Sequence, residues 1–222
     1  MDKQQINEVL AHAARQGGTT PSPEEQDRRS REQELLRLED QMSGARRYGF
    51  PHRHVDKIRM SYAKSGSVRL GWPDEDKVQK AHDKLAQPGS CVILAGPRGT
   101  GKTQLATELA INLPDAYGRY YTLSGLLQDE KDSWGTKKTD DDGNRASPLR
   151  LAKSARLLVL DEIQEIANTD WETAQFIRIF DERYAAMQRT ILISNLMPDA
   201  MKEFVGPSVW SRITETGLLI LC

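Results

Sequence analysis

Residues 96–103 read Gly-Pro-Arg-Gly-Thr-Gly-Lys-Thr, directly after the apolar run Cys-Val-Ile-Leu-Ala and directly before a helical pattern. A strand that ends in a glycine-punctuated loop and re-enters a helix leaves few folds open. Successive backbone N–H groups of such a loop converge at the positive end of the helix, where they cradle phosphate oxygens. Gly96, Gly99 and Gly101 permit the tight curl, and Pro97, Arg98 and Thr100 complete the loop. Lys102 is placed to reach the β- and γ-phosphates of a nucleoside triphosphate, and the Thr103 hydroxyl to ligate Mg²⁺. The expected ligands are ATP and Mg²⁺.

A second apolar run, residues 156–160, is followed by the acid pair Asp161 and Glu162. In an open parallel sheet, ligands sit at the carboxyl ends of the strands, which brings both acids to the phosphate loop. Asp161 suits a Mg²⁺-holding carboxylate, and Glu162 suits a general base that polarises the attacking water. A third run, residues 190–194, ends in Asn195, whose amide could bond the γ-phosphate or that water. An asparagine is also common in a turn for backbone reasons alone.

From residue 91 onward short β-rich runs alternate with helical stretches, which predicts an α/β core with a parallel sheet between helices. Five strands are expected, at 91–95, 119–123, 156–160, 190–194 and 217–221, with helices at 103–113, 124–132, 171–187 and 198–204. The chain is 38% hydrophobic and 28% charged, the profile of a soluble globular protein. It has no apolar stretch of membrane-spanning length and no secretory signal at its polar start, so a cytoplasmic protein without membrane contact is expected. Two cysteines and four histidines offer neither a disulfide framework nor a metal cluster.

Upstream, helical patterns at 4–15 and 23–44 flank a break rich in Gly, Thr and Pro at 17–23. The second carries only a narrow apolar stripe, from which Leu35, Leu38 and Met42 are candidate partner-binding anchors. Arg46, Arg47, Arg53, Lys57, Arg59, Lys64 and Arg69 stand against the single acid Asp56 in residues 44–70, a segment that could face phosphate or an acidic partner. The domain reading is therefore a small helical region at 1–45, a basic linker at 46–75 and an ATPase core at 76–222. Between residues 130 and 146 the sequence is polar and glycine-punctuated. Lys131, Lys137, Lys138, Arg145 and Arg150 are candidate DNA contacts there, with Trp134 available to stack on a base. Asp140, Asp141 and Asp142 dilute that positive field, which favours a solvated loop over DNA contact.

The order of the phosphate loop, Leu-Leu-Val-Leu-Asp-Glu-Ile, the Ser-Asn-Leu turn and the late Trp-Ser-Arg-Ile resembles the AAA+ ATPase core. Within it the match is to the DnaC/IstB branch of replicative helicase loaders and transposition ATPases, over about residues 71–221. The resemblance implies a sensor role for Asn195 and an arginine-finger role for Arg212, acting across a head-to-tail interface between subunits. The competing reading of Arg212 is a surface ion pair. The sequence departs from many AAA+ proteins in stopping after the last core strand, so that a helical lid is not expected. By resemblance the expected function is ATP-dependent loading of a ring helicase onto single-stranded DNA. Alternatives are a transposition regulator that binds DNA and a transposase, and an ATP-binding regulatory module with little turnover.

Overall fold

The structure, a computed structural model, describes residues 22–113, 118–135, 147–166 and 169–222. The chain divides into two units, Met1–Glu39 and Asp40–Cys222. The pattern expected at 4–15 lies outside the described residues.

Helix α1 (Pro23–Arg47) starts in the first unit. The Ser22 hydroxyl accepts from the Glu25 amide at 3.2 Å, Glu24 and Glu25 occupy the first turn, and Arg46 and Arg47 the last. Capping and charge thus both favour the helix. Leu35 is 38% and Leu36 61% exposed, whereas Leu38 and Met42 are buried. Of the three expected anchors only Leu35 therefore reaches solvent.

The larger unit is built on five parallel strands: β1 (Cys91–Ala95), β2 (Gly118–Thr122), β3 (Leu157–Asp161), β4 (Arg189–Ser194) and β5 (Gly217–Leu221). They lie in the order β2-β3-β4-β1-β5. Every residue of β1 and β3 is buried, as an unbroken apolar strand requires when helices cover both faces. Register pairs Ala95 with Ser194 and Leu160 with Leu192, so the segments after β1, β3 and β4 all leave the same end of the sheet.

The helices are α2 (His52–Ser65), α3 (Glu75–Ala86), α4 (Lys102–Asn112), α5 (Leu123–Ser133), α6 (Pro148–Ser154), α7 (Asp170–Ala185) and α8 (Pro198–Thr216). Helix α4 is buried along most of its length, against β1, β3 and β4 on one side and α2 on another. The basic segment read as a linker is helix α2, whose Val55 and Ile58 are fully buried. Its charges occupy the outer face, and two apolar residues three apart were too short a pattern to announce a helix. Helix α8 runs past residue 204, where the expectation ended, because Gly206 breaks it (φ 76°, ψ 165°) and Pro207 starts a second segment. That segment passes straight into β5, after which the Cys222 amide donates to the Ala95 carbonyl at 2.9 Å. No helix among the described residues is long and apolar enough to cross a membrane.

Candidate nucleotide site

A cavity of about 270 Å³ at the carboxyl end of the sheet joins the phosphate loop to Asp161, Glu162 and Asn195. The loop takes left-handed backbone at Gly96, Gly99 and Gly101 (φ 137°, 85° and 93°). At Gly101 a Cβ would come within 2.9 Å of the Trp72 ring, so glycine serves both the curl and that close approach. Lys102 is buried and donates to the carbonyls of Gly96 at 2.7 Å and Pro97 at 2.6 Å. Burial lowers its pKa, opposed by the Cys222 and Asp161 charges. Arg98 forms an ion pair with Glu165 across the rim, and the Thr100 hydroxyl donates to the Pro97 carbonyl at 3.0 Å.

The Thr103 hydroxyl donates to Asp161 Oδ2 at 2.7 Å, and the Tyr120 hydroxyl donates to the same oxygen at 2.7 Å. A threonine hydroxyl and a carboxylate in contact at the mouth of a phosphate loop are hard oxygen donors, and they fit Mg²⁺ shared with a nucleotide. Burial, then the Asp161 charge, raises the pKa of Tyr120, so its hydroxyl stays a donor. Glu162 is exposed and takes left-handed backbone (φ 53°), uncommon for a residue with a long side chain. Its backbone amide donates to Asp161 Oδ1 at 2.7 Å, and both residues line the cavity. Burial, then Asp161 and Glu165, raise the Glu162 pKa, with Arg98 opposing.

Asn195 follows β4 and its backbone N–H donates to Gln164 Oε1 at 3.2 Å, an oxygen that also accepts from the Ser194 hydroxyl at 3.0 Å. Gln164 thereby fixes the turn that carries Asn195. Three cavity residues were not assigned to the site, Arg53 and His54 from α2 and Gln104 from α4; of the basic segment that could face phosphate, Arg53 is the cation that lines the cavity. His54 Nδ1 and Gln104 Oε1 lie 2.7 Å apart, and Gln104 Nε2 donates to the His54 carbonyl at 3.0 Å. Nothing local in the sequence marks contacts between residues so far apart in the chain.

On the β5 side of the loop lies a second, more apolar cavity of about 200 Å³, lined by Trp72, Val78, Leu105, Ile220 and Leu221 among others. Glu108, fully buried on α4, accepts from Trp72 Nε1 at 2.8 Å and from the Leu70 amide at 3.1 Å, which holds the indole in place.

Arg212 lies on the second segment of α8. It pairs with Asp181, donates to the Ser208 hydroxyl at 3.2 Å and sits 5.5 Å from the Tyr184 ring centre. Within the chain it makes the surface ion pair that was the competing reading. Of the DNA candidates, Lys131 pairs with Glu172 at 3.0 Å above the Trp171 ring, and Arg150 is exposed on α6. Lys137, Lys138 and Arg145 lie outside the described residues. Trp134, 55% exposed, meets Trp171 edge-on at 5.5 Å beside a cavity of about 650 Å³. That cavity is larger than the phosphate site, but its Lys153 and Arg178 are both paired with Glu182.

Sheet order, phosphate loop and acid pair together define an AAA+ P-loop ATP-binding protein. Residues 78–209 match the family described as IstB-like ATP binding protein, and the chain belongs to that family. It is 33% identical over 106 residues to the "Insertion sequence IS21 putative ATP-binding protein" of Pseudomonas aeruginosa, a match covering 47% of this chain and 37% of that one. With YdaV, an uncharacterized protein of Escherichia coli K12, it shares 29% identity over 138 residues, or 61% of this chain and 53% of YdaV. The chain thus spans about a third to a half of the curated relatives it matches. Among solved structures, the DnaC helicase loader superposes with a TM-score of 0.56 at 20% identity, covering 69% of this chain and 92% of that one.

Proposed function

We propose that the protein is an ATPase that loads a replicative ring helicase onto single-stranded DNA. The observation that carries the ATPase reading is the contact of Thr103 with Asp161 in one cavity with Lys102, Glu162 and Asn195. Lys102 and the loop amides hold the β- and γ-phosphates, while the base lies against Trp72 in the apolar cavity. Thr103 and Asp161 hold Mg²⁺, which neutralises phosphate charge when bound. Glu162 accepts a proton from water as its oxygen bonds the γ-phosphorus and the bond to the ADP oxygen breaks, and Asn195 orients that water.

The loader role rests on the likeness to DnaC, which concerns the fold, and on family membership. Self-association head to tail would bring Arg212 of one subunit to the nucleotide of the next, after release from Asp181. The exposed Leu35 and Leu36 would face the helicase, and Lys131 and Arg150 the DNA. Identity with the IS21 protein favours a second reading, a transposition regulator that binds DNA and a transposase. If turnover is negligible, an ATP-binding regulatory module is the remaining form.

Nucleotide binding and turnover separate the parts of this reading. Lys102→Ala should abolish tight ATP binding, whereas Glu162→Gln should bind ATP and lose turnover. Glu162 must be ionised to act as base and its pKa is raised, so wild-type turnover should fall with decreasing pH through a value above the ordinary 4.5. Unchanged ATP affinity in Lys102→Ala would refute the site. A pull-down that recovers a transposase and no helicase would replace the loader reading with the second one.

A further inference from the structure

The cations lining the phosphate cavity are Arg53, Arg98 and Lys102. Two already have work: Arg98 is paired with Glu165, and Lys102 is bound to the loop carbonyls. Arg53 comes from outside the loop and the sheet, on the first turn of α2. Among the described residues it has no carboxylate partner, and its Nε approaches only the neighbouring His54 Nε2, at 3.4 Å. An uncompensated guanidinium beside a phosphate loop is what a polyanionic ligand would recruit, because guanidinium and phosphate match in charge and fork geometry.

Arg53 lines the phosphate cavity and not the apolar cavity in which the proposed reading places the base. The apolar cavity that receives the base has Trp72, Ile220 and Leu221 in its wall, whereas Arg53 shares its cavity with Asp161, Glu162 and Asn195. A triphosphate running from the apolar cavity into the phosphate cavity would present its terminal phosphate to Arg53 and the residues that share its cavity. The paired contacts between His54 and Gln104 clamp the first turn of α2 to the first turn of α4, directly after Lys102 and Thr103. Burial lowers the His54 pKa, helped by the Arg53 and Lys57 charges and opposed by the hydrogen bond to Gln104 and the Asp161 charge.

We propose that Arg53 binds the γ-phosphate of ATP within its own subunit, and that the clamp between His54 and Gln104 positions it there. This rests on the ATP-site reading above. Its consequence is that α2, which is tied to the end of α1 by the ion pair between Asp56 and Arg46, distinguishes ATP from ADP.

The test measures affinities of the full chain for a non-hydrolysable ATP analogue and for ADP, both with Mg²⁺, by titration calorimetry. Arg53→Ala should weaken the analogue about tenfold and ADP less than about twofold. Arg53→Lys should recover part of the difference, and Gln104→Ala should reproduce the selective loss. Arg53 is exposed, so the melting temperature of its variants should match the wild type. Unchanged affinity for the analogue in Arg53→Ala, or equal losses for both nucleotides, would overturn the proposal. Lys102→Ala is the control for the site itself: if it binds both nucleotides like the wild type, the ATP-site reading fails. Loss of both in Lys102→Ala with an unaffected Arg53→Ala refutes only the role of Arg53.

Discussion

Asp161 Oδ2 accepts two hydroxyls, and they differ in what they connect. Thr103 belongs to the phosphate loop, while Tyr120 belongs to β2, where its ring packs against Phe50 and its amide donates to the Tyr48 carbonyl at 2.9 Å. Tyr120→Phe removes a hydrogen bond to a charged acceptor without altering the packing, a loss of about 1.5–3 kcal/mol. Thermal unfolding should show that loss without nucleotide, and a smaller one with Mg²⁺ and ATP, where the metal takes over neutralising the carboxylate. An equal loss in both conditions would mean that the hydroxyl supports only the fold. At this scale the motif residues were legible because phosphate chemistry fixes their type and local spacing. Tyr120 was not, since a tyrosine in a strand reads as packing and nothing nearby names its partner.

Elements divide along the same line. The strands were legible to within a residue or two, because continuous apolar runs bounded by polar turns are what a sheet covered on both faces demands. Helices α2, α3 and α6 were not, since they are short or strongly charged and their buried residues are few. What holds the segment between α2 and α3 is equally non-local: the buried Glu108 carboxylate grips Trp72 and the Leu70 amide from α4. Glu108→Ala leaves an indole N–H and a backbone N–H without their acceptor, and should destabilise the fold by about 2–4 kcal/mol in denaturant unfolding. Trp72 should then become more mobile and wetter. Its emission should shift to the red, a change absent when Glu108→Ala is made in a Trp72→Phe background.

At the scale of the molecule, the unit boundary at Glu39/Asp40 differs from the sequence-based division at residue 45 by the length that matters for a truncation. Met42 and Ala45 are buried, so a cut after 45 removes both from the core, whereas a cut after 39 keeps them and, of the buried apolar residues described, removes only Leu38. A chain beginning at Asp40 should fold and bind ATP, and on the loader reading proposed above it should no longer hold a helicase that the full chain retains in gel filtration; helicase binding by that chain would put the partner surface in the larger unit. The break in α8 matters at this scale as well. Gly206 leaves the last segment of that helix, Arg212 included, in one continuous piece with β5, whose far end is bonded to Ala95 just ahead of the phosphate loop. Strand β5 is paired with β1 at five successive positions, and Val209 and Ile213 of the segment before it are buried in the core, so Arg212 is carried on a piece held beside the strand that enters the phosphate loop. On the finger reading proposed above, a shift of the loop on nucleotide binding would reach Arg212 through β5 and that helix segment, so occupancy of the site and opening of the Arg212–Asp181 pair would be coupled.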